Sequence, residues 1–130
     1  MIVRFIELDK DYSDVCSWWE QQASFVVPRP MLSTTGFIVE HDSDKLLAGW
    51  LYHTNSNVAM FEFLVGNPKF VGKIRSEALT SFFDTLFKYA DMQNIKNIIS
   101  TTSHPKVPAM LERVGFVKVN ENVTNFMRSV

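Results

Sequence analysis

The sequence is poor in several residue types that would indicate a particular class of protein. It contains one cysteine, Cys16, so no disulfide can form within the chain, and no cluster of Cys and His has zinc spacing. Five glycines and five prolines are spread over 130 residues, without repeats or low-complexity segments. These absences exclude a disulfide-rich scaffold, a zinc finger and a Gly/Pro-rich disordered chain.

The chain also lacks a charge excess and a long hydrophobic run. Its formal net charge is −1, and nucleic-acid binding usually needs a surplus of Lys and Arg, so no nucleic-acid partner is expected. Arg4 and Glu7 interrupt the short apolar stretch at the start, which is therefore unlike a signal peptide or a membrane span. We expect a cytoplasmic protein that does not bind membranes.

What the chain does contain is enough apolar material for one domain over residues 1–130. Hydrophobic residues make up 46%, including eleven Phe and three Trp. Residues 1–62 carry four basic and nine acidic side chains (net −5), and residues 63–130 carry nine basic and five acidic (net +4), which sum to −1. Either chance or a different partner for each half would explain this asymmetry.

The hydrophobic pattern predicts an α/β fold with the order β-α-β-β-β-α-β-α-β-β. The predicted strands are Ile2–Leu8, Gly36–Glu40, Leu46–His53, Val58–Val65, Ile95–Thr102, and a closing hairpin of Phe116–Val119 and Asn125–Ser129. The predicted helices are one around Val15–Gln22, one over Ile74–Asp91, and a short one from His104 to Gly115. Short turns make the central three strands an antiparallel meander, and the long helix makes the next connection a parallel crossover.

Two motifs add to this order. The segment Val65-Gly66-Asn67-Pro68 precedes a loop and a helix, and the segment Ala109–Phe116 reads AMLERVGF, with Gly115-Phe116 as its most specific part. They resemble, respectively, strand 4 with its pyrophosphate loop and the closing LYEKLGF signature of the GNAT N-acetyltransferase superfamily. The resemblance covers nearly the whole chain and is greatest to small phage-encoded members. It implies a GNAT-like mixed central sheet.

The loop after strand 4 departs from the family pattern Arg/Gln-x-x-Gly-x-Gly/Ala. The corresponding positions are Val71, Ile74 and Ser76, and of these only the small Ser76 fits. Gly72 also fits, as an extra glycine that is frequent in this loop. The glycines let backbone N–H groups approach a diphosphate at a helix N-terminus. Ile74 places a β-branched side chain there, so we expect the diphosphate to be displaced or its binding lost.

The resemblance implies acetyl-CoA (coenzyme A) as the cofactor and direct attack of a primary amine on its thioester. It implies a backbone N–H at a bulge in strand 4 and phosphate contacts from the following loop. The residues implied to bind the cofactor are Leu64, Val65, Val71, Gly72, Lys73, Ile74, Arg75, Ser76 and His104. The family's usual tyrosine, which protonates the departing thiolate, is Leu111 here, and its usual asparagine is His104.

Two residues are candidates for proton transfer. Glu62 is the only charged residue within Val58–Val65, and we expect it on the strand face shared by Met60 and Leu64. A desolvated carboxylate there would have a raised pKa suited to a general base. His104 is the second candidate, since imidazole titrates near neutrality, although it could equally cap the short helix.

The acceptor is expected to contact the first helix and the loop after it. The substrate-binding candidates are Trp18, Trp19, Arg29 and Tyr52, and the loop Ser24–Ser33 could cover the site. Because Trp18 and Trp19 are adjacent on a helix, one should face the core and the other the cleft. The acidic first half would suit a cationic small-molecule or protein amine. An exposed strand edge near the C-terminus could pair two chains as a homodimer.

Two functions remain open at this point. Glu62, the basic second half and the strand–loop–helix junction favour an N-acetyltransferase. The altered loop and the missing tyrosine favour a GNAT-fold protein without catalysis, for instance a phage virion or host-interaction factor.

Overall fold

A computed structural model describes residues 1–23 and 25–130. The strands are β1 (Ile2–Phe5), β2 (Gly36–His41), β3 (Asp44–His53), β4 (Val58–Gly66) and β5 (Asn97–Ile99). The helices are α1 (Leu8–Gln22), α2 (Lys73–Met92) and α3 (Val107–Arg113), with a single 3₁₀ turn at Arg29–Met31. None of the helices within these two ranges has the length and apolar content needed to cross a bilayer.

The five strands form one mixed sheet in the order β1-β2-β3-β4-β5. The first four are antiparallel to their neighbours, and the tight turns at Asp42–Ser43 and around Asn55 make the β2–β3–β4 meander. Strand β5 is parallel to β4, and α2 makes the crossover between them. The α/β class, the mixed sheet and the order of its first eight elements are confirmed.

Helices cover both faces of the sheet. On one face, α2 and α3 pack against β2, β3 and β4, and the Phe stripe of α2 supplies the large side chains Phe82 and Phe83. On the other face, α1 and the loop 25–33 enclose a second core around Trp50. The stripe on α2 is therefore core packing, as its spacing of three and four indicates.

The predicted closing hairpin is wrong. The segment 115–130 contains no strand, and its apolar side chains from Val117 onward are exposed, Phe126 by 93%. Only Phe116 packs on the domain, against Phe83 and Phe87 of α2. Because β5 has only three paired residues, it presents a short edge, and the alternating pattern of the tail finds no strand to pair with.

The charges of the first half are arranged around a buried carboxylate far from β5. Asp11 is fully buried and accepts two hydrogen bonds of 2.8 Å from Arg4, while Lys45 lies 3.0 Å away. Glu40 and Asp14 complete the network on Arg4 and Lys45. Three of the nine acidic side chains of residues 1–62 therefore belong to a network that joins α1 to the sheet, and the acidic surface for a cationic acceptor stays a prediction.

Candidate active site

A bulge in β4 gives the site its shape. Ala48 pairs with Val65 and Trp50 with Glu62, so the single residue Gly49 opposes both Phe63 and Leu64. Phe63 adopts a positive φ of 62°, which is unusual for a bulky residue. The bulge in strand 4 that the family resemblance implies is therefore present, one residue before the expected position.

The bulge changes which side chains share a face. Phe61 packs in the α2-side core, as alternation requires, but both Glu62 and Phe63 lie on the α1 side. Leu64 then returns to the α2-side core. The expectation that Glu62 and Leu64 share a face is wrong, because the extra residue shifts the alternation by one.

Strands β4 and β5 separate next to Glu62. Their pairing covers only Val58–Met60 of β4 and ends at Ile99 of β5. In the part of the chain that the structure describes, the β5-side edge of β4 has no strand partner from Phe61 to Gly66. Glu62 Oε1 spans the opening and accepts a hydrogen bond of 3.2 Å from the Thr101 backbone N–H. Glu62 therefore lies at the mouth of a split that exposes backbone donors and acceptors.

Burial raises the pKa of Glu62, and the hydrogen bond from Thr101 offsets only part of this effect. Tyr52 is close on the same face, and its pKa is also raised, first by burial and in smaller part by the charge of Glu62. A carboxylate held in poorly hydrated surroundings with a raised pKa is suited to accept a proton near neutral pH.

The loop from β4 to α2 ends in an open helix N-terminus. Gly72 has φ +72°, and no atom lies within 4 Å of the position that a Cβ would take. The turn into the helix therefore has no side chain and no neighbouring atom at this point. Among the residues that the structure describes, no side chain caps the first turn of α2. Val71 is 72% exposed and the Lys73 side chain 91% exposed, the latter 3.7 Å from Glu77. Backbone N–H groups and the exposed ammonium of Lys73 at this end fit an anionic group, which would compete with Glu77 for Lys73.

Ile74 and Arg75 do not lie as the sequence suggests. Ile74 packs its side chain inward against the α2-side core, so it does not obstruct the helix N-terminus. Arg75 folds back over Gly66, and its Nη2 donates to the Asn67 carbonyl at 2.6 Å. A Cβ on Gly66 would lie 2.2 Å from the guanidinium carbon, so close approach explains this glycine. Arg75 is thus engaged with the β4–α2 loop, and burial lowers its pKa.

Two open clefts flank the N-terminal half of α2. The first, of about 180 Å³, lies between α2 and α3 and is lined by Ser76, Leu79, Thr80, Met110, Arg113 and Val114. The second, of about 470 Å³, lies on the other side of α2 and includes Lys73 and Ser76. Ser76 was singled out from the sequence, but Thr80 and Arg113 were not. Arg113 lies within the closing motif, but only the packing of α3 on α2 brings it to the cleft.

His104 lies before α3 and Leu111 lies within it. His104 lies in the exposed segment before α3, which begins only at Val107, and its Nδ1 accepts a hydrogen bond of 3.2 Å from the Lys106 N–H. That bond closes a turn before the helix; the N-cap of α3 is Lys106 and no described side chain caps it, so the capping alternative for His104 is not confirmed. Leu111 is 7% exposed and packs in the α2-side core.

The acceptor-side predictions have mixed outcomes. Trp18 and Trp19 are 5% and 2% exposed in the α1-side core, so the prediction that one of them lines a cleft is wrong. Loop 25–33 covers α1 from outside and buries both. Arg29 is exposed and pairs with Asp9. Tyr52 is half-buried beside Glu62, whereas His53 lies on the opposite face and contacts Tyr89.

Loop 25–33 runs alongside Tyr52. This is the segment that the sequence predicts to cover the acceptor site. The Tyr52 hydroxyl donates to the Met31 carbonyl at 2.9 Å, and the Ser33 hydroxyl donates to the Leu51 carbonyl at 2.7 Å. Ser24, the first residue of the predicted covering loop, lies outside the described residues.

Comparison with solved structures identifies the fold. The ribosomal-protein-S18-alanine N-acetyltransferase of Escherichia coli is similar with a TM-score of 0.73 and 9% identity, over 92% of this chain and 79% of that one. Rv2747 from Mycobacterium tuberculosis, in complex with CoA and NLQ, gives 0.71 and 16% over 95% and 76%. The aminoglycoside N-acetyltransferase AAC(6')-Iy, in complex with CoA, gives 0.68 and 14% over 98% and 100%.

The chain therefore has the fold of the GNAT N-acetyltransferases, as the resemblance in its sequence implies. No protein-family model matches the sequence, and no curated protein sequence matches it. The neighbours share the arrangement of the sheet and helices at very low identity, and two of them hold CoA. The activity of this chain has to be argued from its own residues.

Proposed function

We propose that this protein is an N-acyltransferase that moves an acetyl group from acetyl-CoA to a primary amine. The observation that carries the proposal is the placement of Glu62 next to the Phe63–Leu64 bulge, where β4 and β5 separate. The residues suit the group: the split offers free backbone along β4, and the uncapped start of α2 with exposed Lys73 offers an anion site for a diphosphate.

Acetyl-CoA supplies an activated thioester that an amine attacks directly. Glu62 takes the proton that the amine nitrogen loses as the C–N bond forms and the C–S bond breaks. Those backbone N–H groups of β4 between Phe61 and Gly66 that face the split, away from β3, stabilise negative charge on the thioester oxygen. Leu111 has no proton to give, so the departing thiolate of CoA takes its proton from solvent.

Further contacts to the coenzyme are proposed along the same path. Leu64 and Val65 line the split, and Val71 and Gly72 shape the turn into α2. Lys73 and the first backbone N–H groups of α2, including that of Ile74, hold the diphosphate. The cleft between α2 and α3, with Ser76 and Arg113, receives the nucleotide end. His104 and Arg75 shape the surrounding loops.

The second candidate function is a GNAT-fold protein without catalysis, which binds a partner instead. The observation that favours it is the buried Leu111 at the position of the family's usual acid. The two proposals differ in what a purified sample does with acetyl-CoA and an amine.

The test is release of free CoA thiol from acetyl-CoA in the presence of a panel of primary amines. Amine-dependent release by the wild type, lost in Glu62→Gln but kept in Glu20→Gln, supports the transferase. Glu20 is an exposed glutamate on α1 and provides a matched control. Amine-independent background with no difference among the three proteins favours the non-catalytic function.

A further inference from the structure

We infer that the amine acceptor is a monoamine that carries an aromatic or other apolar group beside its amino group. The inference rests on the proposed acyl transfer, since it concerns the acceptor side of the same site. It is drawn from the wall on the α1 side of β3 and β4, next to Glu62. We call this wall the acceptor face and define it by Phe25, Met31, Tyr52, Met60 and Phe63.

Three aromatic rings form a continuous series on the acceptor face. The ring of Phe63 lies edge-on to Tyr52 with centroids 6.0 Å apart, and edge-on to Phe25 with centroids 6.5 Å apart. The bulge turns Phe63 to this side, directly after Glu62 in the chain. Phe25 remains 53% exposed, although it touches the series. Edge-to-face rings with an open end can accept a further ring.

Two methionines extend the apolar surface. Met60 pairs with Tyr52 across the strands and is 42% exposed, and Met31 is 48% exposed beside the Tyr52 hydroxyl. Methionine side chains adapt their shape and make favourable contacts with aromatic rings. The acceptor face thus combines fixed rings with adaptable side chains, an arrangement suited to a small apolar group.

Charge limits what this face can hold. Glu62 is the only acidic residue of β4, and there is none in 25–33 or between Lys45 and His53. Within the described residues, no cation forms a salt bridge with Glu62, and Arg29, the one cation of loop 25–33, is paired with Asp9. One carboxylate complements one ammonium group. A polyamine or an aminoglycoside would place its remaining charges against apolar side chains, and their desolvation would be unfavourable.

The experiment compares three amines: 2-phenylethylamine, n-propylamine and spermidine. Transfer is measured by thiol release, and binding without CoA is measured by ligand-observed NMR saturation transfer. We expect kcat/KM for 2-phenylethylamine to exceed that for each of the other two by roughly tenfold or more. Phe25→Ala should lower kcat/KM for 2-phenylethylamine about fivefold and lower that for n-propylamine by less, because a propyl group makes fewer contacts with the Phe25 ring.

The control is Phe126→Ala, which removes the same side chain from the exposed tail and should change neither value. Transfer to spermidine equal to or better than transfer to 2-phenylethylamine would overturn the inference and leave the proposed function intact. Selective binding of 2-phenylethylamine without any transfer would support the acceptor face and contradict the acyltransferase. Absence of selective binding and of transfer would overturn both.

Discussion

Replacing Glu62 with Gln should abolish activity and stabilise the fold at the same time. Gln has nearly the same shape and keeps an oxygen that can accept the Thr101 N–H, so the split between β4 and β5 should remain. It cannot take a proton from the attacking amine. We expect kcat to fall by about a hundredfold or more, the usual contribution of a general base. Acetyl-CoA affinity should change by less than about twofold, because the coenzyme contacts proposed above do not involve Glu62.

The stability change follows from the direction of the pKa shift. Burial raises the pKa of Glu62, so the folded chain binds this proton more tightly than the unfolded chain does. Below the unfolded value, about 4.3, both states are protonated and Glu62 costs nothing. As pH rises through the folded pKa, ionisation of the half-buried carboxyl destabilises the fold. Gln avoids this penalty, so Glu62→Gln should have a higher free energy of unfolding and a higher Tm than the wild type at pH 7.

Thermal unfolding followed by circular dichroism at several pH values measures this difference. The gain should be largest near pH 7 and vanish below about pH 4, while the exposed control Glu20→Gln shows no gain at any pH. In the wild type, the acidic limb of the kcat/KM profile should reflect the raised pKa of Glu62. A variant that is less stable at pH 7, or that keeps the wild-type rate, would refute both the environment and the role assigned to Glu62.

Two further predictions concern the core and the loop. Asp11→Asn should lower the free energy of unfolding in urea by about 3 kcal/mol, because Arg4 and Lys45 lose their shared buried partner, whereas Asp14→Asn should cost less than about 1 kcal/mol. Burial alone would raise the pKa of Asp11, but the hydrogen bonds from Arg4 hold it below its usual range. The contribution of Asp11 to the free energy of unfolding should therefore be full above about pH 5 and be lost on acidification. Ile74→Gly should lower the free energy of unfolding by about 2 kcal/mol, because packing and helix propensity are lost, and it should not tighten acetyl-CoA binding. Tighter binding in calorimetry would show that the Ile74 side chain obstructs the N-terminus of α2.

The sequence predicts the central part of this site well, because its signals are local. A nearly unbroken apolar run with one charge indicates both β4 and Glu62, and the Gly72 turn marks the start of α2. The exact face of Leu64 could not be predicted. A positive φ is usually occupied by Gly or Asn, whereas here Phe63 adopts it. Gly49, opposite the bulge, has no room for a side chain, since a Cβ there would lie 2.8 Å from Phe82.

The errors concern features that depend on distant partners. The tail beyond Phe116 alternates like a hairpin, but strand formation needs an edge to pair with, and β5 offers only three residues. Trp18 and Trp19 are adjacent on α1, yet both pack in the core that α1 forms with the sheet and with Val27 and Leu32 of loop 25–33. The inward packing of Ile74 and the contact of Arg75 with Asn67 likewise depend on where the loop crosses the sheet.

The most direct test of the acyltransferase account is a calorimetric titration of the full chain with acetyl-CoA. The account predicts saturable heat with about one coenzyme per chain, and a matching stabilisation of about 2.7 kcal/mol when the ligand is present at a hundred times its Kd. A flat titration, together with an unchanged Tm in millimolar acetyl-CoA, would contradict it.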